Sequence, residues 1–155
     1  MSADLNPETS LREDRYLLSR FLEAQEHHYE KALGELTSGR KRSHWMWYIF
    51  PQLEGLGASA TSRRYAINSV EEAEAYLAHP VLGPRMLKIS ETLLMVEGRS
   101  AHEIFGSPDD MKLRSSATLF ASVSREGSVF DRLLDRFYEG ERDERTLRLL
   151  LERAS

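Results

Sequence analysis

Helix starts punctuate this sequence, and that punctuation narrows the fold more than any other feature. Ser69 is followed by Val70-Glu71-Glu72, with an acid at the third helical position, the spacing of a capping box. Ser100 stands in the same relation to Glu103. Ser107-Pro108-Asp109-Asp110 joins a capping hydroxyl, a proline suited to the first helical position and two acids favoured at the positive end of the helix dipole. Strand signals are nearly absent: no Asn-Gly or Asp-Gly turn occurs and no apolar/polar alternation is sustained. The chain therefore reads as all-α, a compact multi-helical domain of about seven or eight helices, several of them short.

The individual segments support this. Leu18, Phe21, Leu22, Tyr29, Leu33 and Leu36 recur at helical spacing over 15–37, as one helix or as two divided near His27-His28, with Gly39 as the stop. Ser43 reads as the N-cap of a short apolar helix reaching about Phe50, where Pro51 ends it. Residues 53–60 read as a loop, and Arg63-Arg64-Tyr65 as the start of a short helix. The helix begun by Ser69 should reach about Ala78, with His79 a cation at its end. Pro80 or Pro84 opens the next, which stops at Gly98, and residues 129–139 and 144–153 form the closing pair. With no repeat or linker in between, 15–153 reads as a single helical domain and 1–14 as a flexible N-terminal segment.

Composition removes several function classes. A chain of 155 residues is long enough to bury one real core. It has no cysteine, which rules out disulfides, thiolate zinc sites and a cysteine nucleophile, and agrees with a cytoplasmic location. The first residues lack the pattern of a signal peptide, and no apolar run approaches the ~20 residues needed to cross a bilayer. The formal net charge of -4 argues against generic nucleic-acid binding. Five histidines without a His-x-x-x-His pair give no metal site, and Gly55-Leu56-Gly57 follows no strand, so no phosphate loop or dinucleotide fingerprint calls for a cofactor.

Three segments carry a resemblance. They are 42–53 (Arg-Ser-His-Trp-Met-Trp-Tyr-Ile-Phe-Pro-Gln-Leu), 75–83 (Ala-Tyr-Leu-Ala-His-Pro-Val-Leu-Gly) and 104–116 (Ile-Phe-Gly-Ser-Pro-Asp-Asp-Met-Lys-Leu-Arg-Ser-Ser). Together they resemble the family of small bacterial and fungal proteins known as domain of unknown function 1810 (DUF1810), and the likeness spans about residues 15–150. The resemblance implies a compact, multi-helical single domain and no established activity. The calpastatin-like label sometimes attached to this family has no support, since calpastatin repeats are disordered and this chain has a core.

The most site-like stretch is Lys41-Arg42-Ser43-His44-Trp45-Met46-Trp47-Tyr48. One reading makes it an anion or nucleotide pocket. Lys41 and Arg42 meet phosphate, Ser43 assists, Trp45 or Trp47 stacks on a planar ring, and His44 serves as donor or general acid/base. The other makes it a core helix, because Trp45, Tyr48 and Ile49 fall on one face. A second cluster, Lys112, Arg114, Ser115, Ser116 and Thr118, lies on the helix after Ser107, where hydroxyls line a polar pocket or let helices approach closely. Ser115 lacks the Gly-x-Ser-x-Gly setting of a hydrolase nucleophile.

Three functions follow from these choices. The favoured one is a pocket for a small anionic ligand, nucleotide-like or phosphorylated, formed where 41–47 meets Lys112 and Ser115. In an enzyme, His44 would supply acid/base chemistry without a metal. The alternatives are a non-catalytic protein-interaction module and a weak single-stranded nucleic-acid binder using tryptophan stacking.

Overall fold

A computed structural model describes residues 14–154 and places ten helices among them. They are α1 (Ser19–Glu26), α2 (Tyr29–Thr37), α3 (Met46–Ile49), α4 (Ala60–Arg64), α5 (Val70–Ala78), α6 (Leu82–Leu94), α7 (Ala101–Phe105), α8 (Asp109–Ser122), α9 (Val129–Tyr138) and α10 (Glu144–Ala154). No strand occurs among the described residues, and the nearest approach to one is an isolated parallel bridge between Leu53 and Ile67. The expected flexible segment at 1–14 lies, apart from Asp14, outside the described residues.

The count exceeds seven or eight because the chain breaks more often than its apolar periodicity shows. His27 and His28 separate α1 from α2, the second of the two arrangements expected there, and the short helix expected at Arg63 starts instead at Ala60, the last residue of the expected loop at 53–60. There Ser59 caps α4 by accepting from the Ser62 amide, so Arg63 and Arg64 end that helix instead of opening it. Ser69 and Ser100 cap as their spacing predicts, and the Ser100–Glu103 capping box is reciprocal. Two expected caps are absent. Ser43 does not cap α3, which begins three residues later with Trp45 at its cap position. Pro108, not Ser107, stands at the cap position of α8, and its carbonyl accepts from the Met111 and Lys112 amides. His79 reaches into the next helix: its Nδ1 accepts from the Val81 and Leu82 amides at the start of α6.

α8 is the axis of the fold, packed by α9, α7, α10 and α5. Every residue from Ser115 to Phe120 on it is buried, which leaves room only for apolar or small polar side chains. The hydroxyls there are satisfied locally. Ser115 donates to the Met111 carbonyl and Thr118 to that of Arg114, while Thr118 also accepts from the Asp143 amide at 2.9 Å. The guanidinium of Arg114 donates to the carbonyls of Glu141 and Arg142, so this polar face of α8 is spent on docking the α9–α10 connection.

One further contact positions the site and another fixes a corner of the fold. Ile67 donates to the Gln52 carbonyl and accepts from the Glu54 amide, both at 2.8 Å, which pins segment 52–54 beside α3. At the α5–α6 corner, a Cβ on Gly83 would stand 2.1 Å from the Leu77 carbonyl oxygen, so only glycine fits there.

Candidate functional site

The segment entering α3 is built around a carboxylate that comes from α2. Glu35 follows Ala32 by one helical turn, which carries it onto the buried stripe of α2 beside Leu36. Its Oε1 accepts from the amides of Arg42 (2.8 Å) and Ser43 (3.0 Å) and from the Trp45 indole Nε1 (2.9 Å); its Oε2 accepts from the Ser43 hydroxyl at 2.6 Å. Burial opposes ionisation of Glu35, but the four donors outweigh it and hold the carboxyl at about 2. Two amides, a hydroxyl and an indole N–H at this opening turn thus converge on an anion, and it is the protein's own.

Residues between these face the other way. The Lys41 ammonium, almost wholly buried, lies 2.9 Å from Asp109 and donates to the Ser43 carbonyl at 2.6 Å. Its amide donates to the Ile104 carbonyl, fixing the loop against α7. Lys112, one turn into α8, stands 3.1 Å from the other Asp109 oxygen. Each lysine also covers an indole: Lys41 lies 4.9 Å from the Trp45 ring centre and Lys112 4.2 Å from that of Trp47. The result is a row, Trp45–Lys41–Asp109–Lys112–Trp47, with two ammonium groups against one carboxylate. Desolvation raises the Asp109 pKa, but bonds and charge from Lys41 and Lys112 outweigh it and lower it overall.

All of this row but Trp45 floors a hollow of about 430 Å³ whose walls include His44, Tyr48, Ser59 and Thr61. The His44 ring is exposed and makes no hydrogen bond among the described residues, whereas its carbonyl accepts from the Tyr48 hydroxyl at 3.2 Å. Tyr48 is tied in turn to His28 Nδ1 at 2.7 Å. Burial, with a smaller contribution from Tyr65, raises the Tyr48 pKa and keeps its hydroxyl a donor. A second hollow of about 240 Å³ shares Trp47 and Lys112 with the first and adds Gln52, Leu56, Met111 and Ser115. Trp47 and Gln52 also wall a smaller one of about 80 Å³ next to Gly57, where a Cβ would press on both Ser62 and Trp47.

The structure thus sorts the expected residues into three groups. Lys41, His44, Trp47 and Lys112 meet at the larger hollow, and Ser115 lies in the adjoining one. Ser43 and Trp45 serve the Glu35 carboxylate, and Trp45, 1% exposed, has no face open to a ligand. The Arg42 side chain is exposed and lines neither hollow; only its amide is engaged. Sequence reasoning passed over Glu35, Gln52 and, as a site residue, Asp109. A carboxylate on the apolar stripe of α2 was the available signal for Glu35. Among the described residues no three His, Asp or Glu side chains group as a metal site, and no helix is long and apolar enough to cross a membrane.

Comparison with known proteins agrees with the fold and supplies no chemistry. The family described as "Protein of unknown function (DUF1810)" matches residues 15–150. The crystal structure of the conserved hypothetical protein Rv1873 from Mycobacterium tuberculosis is similar at 51% identity and a TM-score of 0.85, over 86% of this chain and 96% of that one. Among curated proteins, none matches.

Proposed function

The chain belongs to the DUF1810 family, whose description carries no activity, and from that premise we propose that the Lys41–Asp109–Lys112 hollow binds a small anionic ligand. The observation that carries this reading is the convergence of an unengaged imidazole, a lysine resting on an indole and the Thr61 side chain on one concavity of ligand size. Lys41 is committed to Asp109 and the Ser43 carbonyl, so it sets the charge of the floor without being able to leave it. Lys112 is held less tightly and can turn its ammonium to an incoming phosphate or carboxylate while Lys41 keeps Asp109 neutralised. His44 adds a second donor, and it is also the group placed to act as acid or base on a bound substrate.

Thermal shift with inorganic phosphate, sugar phosphates and nucleotides tests this. A ligand at 100 times its dissociation constant adds about 2.7 kcal/mol, and Lys112→Ala and His44→Ala should each remove most of that gain. Unaltered ligand shifts in both variants, or no shift with any anion, would end the proposal.

A further inference from the structure

Resting on that reading, we propose that the anionic ligand carries a planar heterocycle with a carbonyl oxygen, and that the Gln52 amide recognises this oxygen in the hollow next to Lys112. Gln52 is 6% exposed, and its Nε2 is buried with no hydrogen-bond partner among the described residues. Its main chain cannot drift to find one, because the bonds between 52–54 and Ile67 fix it. The neighbouring polar groups are occupied: Ser115 by the Met111 carbonyl, Asp143 by Thr146, and Arg145 by the Gly55 carbonyl. The Gln52 Nε2 is thus a buried donor without an acceptor, which is rare in folded proteins.

What surrounds the amide suits a flat, mostly apolar group. Leu56, Pro108, Met111 and the Trp47 indole form the sides of this hollow of about 240 Å³. Trp47 and Lys112 belong to both hollows, so a ligand with its anionic end at Lys112 and His44 has its ring led past the indole toward Gln52. A nucleoside monophosphate with a carbonyl on its base has this chemistry. A sugar phosphate has only its anionic half. A site that hydrogen-bonds one ligand group discriminates strongly against analogues lacking it.

Calorimetric titration with uridine 5′-monophosphate, guanosine 5′-monophosphate and ribose 5-phosphate separates the possibilities. At least one nucleotide should bind tenfold or more tightly than ribose 5-phosphate. Gln52→Leu and the uncharged, similarly long Gln52→Met should abolish that advantage and leave ribose 5-phosphate binding unchanged. Because the amide has no protein partner to lose, Gln52→Leu should also melt no lower than wild type. Equal binding of the three probes, or a nucleotide advantage that survives both substitutions, overturns the assignment of Gln52 while leaving the anion site standing. A Gln52→Leu variant that melts several degrees lower assigns the amide to a structural water and overturns it too. Binding of none of the three removes both readings together.

Discussion

The two sides of the 41–47 segment are made of similar materials and do opposite things. On the inner side, Arg42, Ser43 and Trp45 give four hydrogen bonds to one carboxylate, Glu35, and nothing is left over. On the outer side, Lys41 and Lys112 share one carboxylate, Asp109, under an open hollow, and the His44 imidazole stays free among the described residues. Saturation makes the first side a structural clamp. Incomplete saturation is why the proposed ligand is assigned to the second. A basic, aromatic run is therefore insufficient to identify an anion site: what distinguishes the two is whether the protein's own carboxylate already takes up every donor.

The largest test of this contrast is Glu35→Ala, which leaves one buried and two part-buried N–H groups and a hydroxyl unmet. It should cost about 3–4 kcal/mol in denaturant unfolding, or roughly 10 °C in melting temperature. A loss under 1 kcal/mol would mean that the inner side is not a clamp. The same carboxylate sets an acid limb. Its pKa is lowered in the fold from 4.5 to about 2, so its contribution is complete above about 4.5 and disappears as the pH falls toward 2. Roughly 3 kcal/mol should be lost across that window, at 1.36 kcal/mol per unit, and Glu35→Gln should flatten the limb when unfolding is followed against pH.

Lys41→Ala probes the boundary between the sides. It removes one of two cations from a half-buried Asp109, and a loss of about 2 kcal/mol is expected, less than for an isolated buried pair because Lys112 remains. The smallest effect is assigned to Arg42→Ala, whose side chain touches neither carboxylate: stability should stay within about 0.5 kcal/mol, with ligand affinity unchanged. Weaker anion binding in that variant would extend the outer side beyond its present walls.

Much of the fold was legible because capping is local. Ser69 and Ser100 act within three residues of themselves, so their spacing is enough to locate α5 and α7. Ser43 has the same chemistry and was misread, since a partner eight residues back on α2 outcompetes the helix that follows it. The meeting of Lys41 with Lys112 could be suspected from charge and aromatic content. That Trp45 faces inward while Trp47 faces the hollow could not, because the short α3 is oriented by Glu35 and Ile67, neither of which its own spacing reveals. Gln52 gave no signal at all, its meaning being an absence of partners that exists only in three dimensions.

The row of two indoles and two lysines also has an optical consequence. These are the only tryptophans in the chain, and they sit in unlike surroundings: Trp45 in the core with its N–H on a carboxylate, Trp47 at the junction of the hollows beneath an ammonium. Emission from Trp45 should follow global unfolding, and emission from Trp47 should respond when Lys112 turns away from it. With Trp45→Phe the protein would carry a single tryptophan, at the mouth of the hollow, and arrival of the proposed ligand could be watched in real time without a label.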